Sequence, residues 1–466
     1  MTPLILWFRR DLRLDDNPML AAAAATGRPL IPVFIADGSV TGIGAAARWR
    51  MGEAVESFGT RLAGQGSRMI LRRGPALPVL LELISQTGAS GVWWTRLYDP
   101  FSRERDTDIK DYLKSQGLEA RSFHGHTLAE PWDVATQTGG PYKVYTPFWK
   151  SLDAQGVAEA VPAPERLVAP SDWPGSEALA GWRLGAAMNR GAPVLASHAV
   201  VGEAAAQARL DRFLAETVQN YRTDRDFPAL KAVSGLSENL TYGEIGPRRI
   251  WHAAKALPGE GATHFRKELA WRDFAHHLMF HTPHLLDSNW RDEWNGFAWQ
   301  GDTESAERWR RGLTGEPFVD AGLREMFVTG TMHNRVRMIV ASYLTKHLMT
   351  DWKIGMDWFA ECLTDWDPAS NAMGWQWVAG SGPDAAPYFR VFNPATQAEK
   401  FDKTATYRKT FIAELSAKPG ATALSYFDAV PRSWGLDPAK PYPDPLISLS
   451  DGRERALAAY ESLRKG

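Results

Sequence analysis

The segment DWDPASNAMGWQW, residues 365–377, packs two carboxylates, an asparagine and three tryptophans into thirteen residues. Asp367 followed by Pro368 predicts a helix start, a side-chain cap and then a proline at the first helical position. On that helix Asp367, Asn371 and Trp375 recur every four residues and share a face. An acid, an amide and an indole on one face suit a flat aromatic ligand with polar edges whose charge changes. A capped, Trp-rich structural helix is the other reading of the same residues.

Upstream of this segment the pattern stays helical for a long way. Apolar stripes at helical spacing run through 243–257, 264–280, 303–313, 320–328, 333–349 and 355–364. Leu210, Phe213, Leu214, Val218 and Tyr221 make another. Residues 3–123 read differently. Short apolar runs, Leu4–Phe8, Leu30–Ile35, Met69–Leu71, Gly91–Thr95 and Leu118–Phe123, alternate with helical stretches near 17–26, 46–64, 76–87 and 102–116. That alternation predicts a parallel sheet with helices on both faces, and ligands at the carboxyl ends of its strands. Between the two patterns, Pro and Gly cluster at 139–141, 162–175 and 191–193, which predicts a long surface connector. The expected architecture is α/β plus all-α: a Rossmann-like domain over 1–128, a connector over 129–200 and a helical domain over 201–466.

Composition places the chain among globular proteins: 466 residues, 44% hydrophobic, 23% charged, net charge −1. The net charge neither announces nor excludes a nucleic-acid partner, since binding depends on a local patch. A single cysteine, Cys362, rules out an internal disulfide and a cysteine metal cluster and fits a reducing compartment. In MTPLILWFRR the apolar residues precede Arg9 and Arg10, the reverse of a signal peptide. No apolar run has the length of a membrane span. A cytoplasmic protein is expected. There is no GxGxxG, P-loop, GxSxG or HExxH motif, and His276, His277, His281 and His284 read as structural or surface residues, so no metal site is expected. Twenty tryptophans are an unusual number. Indole gives burial and stacking, and it is the side chain most easily oxidised by one electron while staying intact.

Three further clusters carry possible chemistry. Glu268, Trp271 and Arg272 share a helix face and could stack a base and bond its edge; a surface salt bridge beside a half-buried indole is the plain alternative. Asn334, Arg337 and Met338 share another face, in a stretch from 331 to 353 with four Lys or Arg and one acid. That is a phosphate-contacting surface or a solvated basic face. Tyr221 to Pro228, followed by Val233-Ser234-Gly235-Leu236-Ser237, could place backbone N–H groups on a diphosphate or be an ordinary turn.

Taken together, WFRRDLRLDDNPML (7–20), ELAWRDF (268–274), MHNRVRM (332–338) and DWDPASNAMGWQW…DAAPYFRVFNPATQAEKFD (365–402) resemble the DNA photolyase/cryptochrome family. The resemblance runs in order along essentially the whole chain, and the last block is the most specific. It implies an α/β antenna domain and a helical domain that holds FAD. Tyr221, Ser234, Leu236 and Ser237 would hold its phosphate end; Arg272, Asn334, Arg337, Asp365, Asp367 and Asn371 would surround the ribityl chain and ring. The implied reaction is light-driven repair of a cyclobutane pyrimidine dimer in UV-damaged DNA by electron transfer from reduced FAD. Glu268 would bond the dimer, with Arg225, Trp271, Asn334, Arg335 and Met338 as lesion or DNA contacts. Trp375, Trp352 and Trp299 match the family's electron-hopping chain. Asn371, at the position beside flavin N5, is uncharged where plant cryptochromes carry Asp, which favours repair of an anion-dependent kind over blue-light signalling. His333-Asn334 stands where enzymes selective for the 6-4 photoproduct show His-His. Blue-light signalling, 6-4 repair and an FAD protein without DNA binding remain as alternatives.

The sequence departs from the family pattern at Thr331, where relatives carry a Trp beside the dimer; loss of that surface is expected to cost about 1–3 kcal/mol of binding unless another aromatic substitutes. Trp366 and Trp377 are expected to be packing residues. Val233 and Gly235 replace the usual Thr and Arg of the phosphate loop. Tyr98 to Asp106 lacks the Asn-Glu pair of folate-binding relatives and looks closer to deazaflavin or flavin antenna sites, so a second chromophore of unsettled type is implied. A monomer without an obligate protein partner is expected.

Overall fold

The computed structural model describes residues 1–384 and 390–465, so Ala385–Phe389 of the 365–402 block lie outside the described residues. Five parallel strands form one sheet: β1 Leu4–Phe8, β2 Leu30–Ala36, β3 Ile70–Arg73, β4 Gly91–Thr95 and β5 Glu119–Phe123, in the order β3-β2-β1-β4-β5. Leu4 pairs with Leu30 on one side of β1 and Ile5 with Val92 on the other. Every residue of β1, β2 and β4 is buried, because helices cover both faces. Leu4, Leu6 and Phe8 enter one core with Met51, Val55 and Phe58. Ile5 and Trp7 enter the opposite core with Leu80, Leu83 and Trp94. The order reverses between β1 and β4, and a crevice opens there at the carboxyl ends.

Four helices share one start signal, an Asx cap and then proline. Asn17, Asp99, Asp367 and Asn393 each accept a backbone N–H, from Leu20, Ser102, Ser370 and Thr396, at 3.0, 2.9, 2.8 and 3.0 Å. The signal read at Asp367-Pro368 is therefore used throughout the fold. Helix Glu260–His281 is the spine of the helical part, with helices Pro247–Lys255, Pro368–Ala379 and Tyr145–Gln155 packed on it.

Two expectations change. The connector is not all surface: Tyr145, Phe148 and Leu152 of helix Tyr145–Gln155 are buried in the core of the helical part, beside Phe265, Leu269 and Phe274. Their spacing of three and four residues is an ordinary buried stripe, masked by the surrounding Gly and Pro. The stripe over 333–349 is also not one helix. Asn334–Ser342 passes into a π turn, Tyr343–His347, and the chain leaves it through Met349 at φ 56°. The Leu348 N–H bonds the Tyr343 carbonyl, five residues back, a widening often found near functional sites. No helix among the described residues is long and apolar enough to cross a membrane.

Buried charge joins the two parts. Arg50 of helix Ala45–Ala63 reaches Glu238 and Glu244. Asp273 accepts the N–H groups of Leu128 and Ala129 at 2.7 and 3.1 Å, where the connector begins. Burial raises the Asp273 carboxyl to about 7, against the pull of Arg272 and these two N–H groups. The folded state therefore favours the neutral acid. That stability is fully present below the ordinary aspartate pKa and is lost as pH rises through about 7. Asp273→Asn keeps an acceptor without the charge. Urea midpoints measured across this window are expected to fall less with pH in Asp273→Asn than in the unsubstituted protein.

Candidate functional site

Two cavities share a wall built from the start of helix Pro368–Ala379. The larger, about 690 Å³, opens at the carboxyl ends of the strands, where Arg9 and Arg10 follow β1, Phe34 lies near the end of β2, before Ala36, and Tyr98 to Ser102 follow β4. The smaller, about 520 Å³, lies within the helical part. Trp366, Asp367 and Asn371 line both.

The smaller cavity collects most of the residues singled out from sequence: Arg225, Ser237, Glu268, Trp271, Arg272, Asn334, Arg337, Met338, Asp365, Asp367, Asn371 and Trp375. Arg337 Nη2 donates to both oxygens of Asp365 at 2.9 and 2.7 Å, and the Ser237 hydroxyl donates to Asp365 Oδ2 at 2.7 Å. Arg337 Nε donates to the Met332 carbonyl, which fixes the guanidinium. Burial works against the Asp367 carboxylate, but His276, Arg272 and the Ser370 N–H outweigh it and hold its pKa well below the usual range. Asn371 donates from Nδ2 to the Met356 carbonyl at 3.0 Å, which sets the plane of its amide.

Glu268 is held by Arg225, which donates from Nη2 at 3.0 Å and makes a second contact through Nη1. Burial lowers the affinity of Arg225 for its proton, but Glu268 outweighs this and raises it, so the pair stays ionic. The Arg225 guanidinium rests over the Tyr221 ring, 5.3 Å from its centroid. Trp271 stacks flat on Tyr145 at 3.6 Å and 9°. With one face covered by the connector helix, the indole presents the cavity a fixed edge and face.

Trp375, Trp352 and Trp299 sit on adjoining segments. Trp375 lines the cavity and is 2% exposed; Trp352 is fully buried and donates to Asn289 at 2.9 Å. Helices Trp352–Cys362 and Pro368–Ala379 pack together. Gln300, next to Trp299, bonds Met349 and Asp351 through its backbone, beside Trp352. Trp299 itself is only half-buried, so the order runs from cavity towards surface.

Other expected site residues stand outside the cavity lining. Tyr221 packs beneath Arg225. Ser234 accepts the Leu236 N–H at 3.4 Å, and the loop thereby leads into Ser237. Arg335 is paired with Asp226 and covers Phe401. Thr331 turns away and exchanges contacts with Thr329 at 3.1 Å. Trp377 lines the cavity together with Trp271, so a second aromatic stands beside the cavity even with Thr at position 331. Trp377 and Trp366 are thus wall residues rather than plain packing. Periodicity could not reveal this, because Trp377 lies on a different helix face from Trp375. Arg209 went unnoticed in the sequence: its guanidinium donates to the Gly235 carbonyl, which places a positive charge from a neighbouring helix beside this loop. Gly235 itself turns at φ +64°, a conformation glycine adopts without strain.

The donor set fits an FAD. Arg272, Arg337 and the Asn334 and Asn371 amides offer donors, and the Ser237 oxygen, Asp365 and Asp367 offer acceptors, around a cavity walled by Trp375 and Trp366. The flavin ring has one N–H and two carbonyls on its pyrimidine edge, and its ribityl chain carries hydroxyls. A Cβ added at Gly374, on the same wall, would meet nothing within 4 Å, so this wall has open space in front of it.

Comparison with known proteins agrees. Residues 4–165 match the DNA photolyase family model, and residues 265–462 match the FAD binding domain of DNA photolyase. The chain is 45% identical to a deoxyribodipyrimidine photo-lyase of Agrobacterium fabrum, over 99% of this chain and 98% of that protein. It is 32% identical to cryptochrome-2 of Arabidopsis thaliana, over 99% of this chain and 79% of the relative. Its structure superposes on a class III photolyase from Agrobacterium tumefaciens with a TM-score of 0.92 at 43% identity, covering 100% and 98% of the two chains. An archaeal photolyase from Sulfolobus tokodaii with two FAD molecules gives 0.81 at 27% identity, covering 99% and 100%. Both domains in order, full-length relatives and a cavity walled by the motif residues lead to one assignment: the chain belongs to the DNA photolyase/cryptochrome family.

Proposed function

We propose that the protein repairs cyclobutane pyrimidine dimers in UV-damaged DNA under light. The observation that carries this reading is the joint placement of Glu268, Trp271, Trp377, Asn334 and Met338 around one cavity whose deep wall carries Asn371 in place of an acid. FAD, when bound in its reduced form, would supply the electron that splits the dimer and take it back. The chain's own residues supply the setting. Trp271 and Trp377 offer flat apolar walls to two stacked pyrimidines. Glu268, oriented by Arg225, offers a carboxylate to the dimer's N–H edge. Arg272, Arg337, Asp365 and Asp367 fix the cofactor, with Ser234, Leu236 and Tyr221 supporting its phosphate end from behind. Asn334, on the same cavity wall, would offer its amide to the cofactor or the lesion. The lesion must leave the duplex to enter, and photolyases are a known example of that rule. Arg335 and Arg225 lie at the rim for phosphate contact.

Light-dependent restoration of an oligonucleotide with a single dimer tests the proposal. Repair by the fully reduced protein is expected, and its absence overturns the reading. A 6-4 photoproduct in the same assay separates the two lesions, and dimer repair excludes a purely signalling cryptochrome. The larger cavity is proposed to take a second planar chromophore, of deazaflavin, flavin or folate type, between Phe34, Val40 and Phe101 and the arginines Arg9 and Arg10; an absorption spectrum of the purified protein identifies it.

Tyr145 gives a further prediction. Tyr145→Ala uncovers one face of Trp271 and is expected to weaken dimer binding by about 1 kcal/mol, a several-fold rise in Kd. Tyr145→Phe keeps the stack and loses only the hydroxyl bond to the Lys267 carbonyl, so it is expected to bind nearly as the parent does. Dark titration of damaged and undamaged oligonucleotides checks both.

A further inference from the structure

The wall between the two cavities holds a buried chain of titratable groups to which the repair reaction gives no role. His126 follows β5, His276 lies on helix Glu260–His281, and Asp367 caps Pro368–Ala379. One ring nitrogen or carboxylate oxygen from each lies within 4.8 Å of those of the other two. All three are buried. The imidazoles meet edge to face, 4.9 Å apart at 88°. His276 Nε2 lies 3.2 Å from Asp367 Oδ2 but out of line for a hydrogen bond, and Nδ1 bonds to nothing among the described residues. A buried imidazole with both nitrogens open needs a reason.

A metal ion is one such reason, and Arg272 argues against it. Its Nη2 lies 3.0 Å from His126 Nε2, so a fixed cation already occupies that lone pair. A proton is the better fit, since an imidazole beside a carboxylate is suited to holding and releasing one.

Reduction of an oxidised flavin to its anion takes up two electrons and one proton. Asn371, on the flavin wall, is an amide and has no proton to give. Glu268 is committed to Arg225. Of the residues that line both cavities, Trp366, Asp367 and Asn371, only Asp367 titrates. We propose that His276 holds the proton that accompanies flavin reduction and passes it through Asp367 into the flavin cavity, to be refilled from solvent. Two electrons come from an external thiol-type reductant by way of the tryptophan chain. One proton leaves His276 Nε2, crosses Asp367 Oδ2 and ends on the flavin; one solvent proton restores His276, and the protein is unchanged. The inference rests on the smaller cavity being the flavin site.

The surroundings support this direction of transfer. Burial, then Arg272 and His276, hold His126 well below the usual histidine range, so it stays neutral and does not compete for the charge. The other groups facing the chain are Arg272 and Asp273 on the same helix, Arg10 after β1, and Tyr98, whose ring is 6.4 Å from His276 and whose hydroxyl is bonded to Glu130.

The experiment uses the FAD-loaded protein with a thiol donor. A light flash starts reduction, flavin absorption follows protonation of the ring, and a pH-indicator dye follows proton uptake. In His276→Phe, protonation is expected to slow by about a hundredfold, a typical share for a positioned proton donor, while the initial bleaching by electron transfer keeps its rate. Added imidazole is expected to restore the rate in His276→Ala. In the FAD-free protein, Asp367→Asn is expected to lower the midpoint at which His276 titrates by NMR. Parent-like protonation in a folded, FAD-loaded His276→Phe overturns the relay, and so does an unmoved His276 midpoint in Asp367→Asn. If the parent takes up its proton through His276 but leaves dimers unrepaired, the relay stands and only the repair reading falls.

Discussion

Arg50→Met is expected to cost about 3–5 kcal/mol of folding stability, the usual penalty for removing one side of a buried ion pair. Arg50 is fully buried and makes 2.5 and 2.6 Å contacts with Glu238 and Glu244. Burial pulls its pKa down, but Glu244 and Glu238 outweigh that and raise it. Glu244 is also bonded by the Gly202 N–H and by Asn239 Nδ2, at 2.9 and 2.6 Å. Without the guanidinium, two carboxylates remain in a site closed to water. Burial raises Glu238 above the usual carboxylate range even beside Arg50, so Glu238 is expected to take up a proton first. The loss is therefore smaller at low pH. Urea unfolding of the purified variant across pH measures it. Adding Glu238→Gln and Glu244→Gln is expected to recover part of the loss, which separates uncompensated charge from lost packing. FAD affinity should fall as well, because Glu238 follows Ser237, the residue whose hydroxyl holds Asp365.

The sheet was legible in the sequence because it is covered on both faces: LILWF, LIPVFIA and GVWWT are continuous apolar runs with no solvent side to interrupt them. The helix starts were legible because Asx-Pro is a local signal with local physics. Where tertiary contact decides, the reading failed. Tyr145 earns its place by stacking on a residue 126 positions away, and nothing near it in sequence announces that. The π turn at Tyr343–His347 hides inside an unbroken apolar stripe, since one extra residue per turn leaves the composition unchanged. The cluster around Glu268, Asn334 and Asp365 was legible only as a set. Each motif alone has an ordinary structural explanation, and the fold is what brings them within one cavity. Trp377 and His276 escaped for the same reason. An aromatic or a histidine on a helix is a core residue until a neighbouring element supplies an empty space or a charged partner.

Asn371→Asp is expected to shift the balance between oxidised and reduced flavin by about a thousandfold towards the oxidised form at neutral pH. A second negative charge about 4 Å from a reduced, anionic ring costs about 4 kcal/mol at the effective dielectric of a protein site. The surroundings do nothing to relieve it. Asn371 now donates to the Met356 carbonyl, and an ionised carboxylate there would face that oxygen with no proton between them. Both effects disfavour the charge, so the pKa of the introduced carboxyl is expected to rise above the ordinary aspartate range. The sign follows. Below that raised pKa the carboxyl is neutral, keeps a hydrogen bond to Met356, and the variant holds reduced flavin as the parent does. As pH rises through it, the reduced form is lost. Spectroscopic redox titration of both proteins at several pH values checks this: parent and variant should converge at low pH and separate as it rises. A variant with the parent's potential at every pH would show that position 371 does not face the reduced ring, and would remove the argument that its missing charge favours repair over signalling.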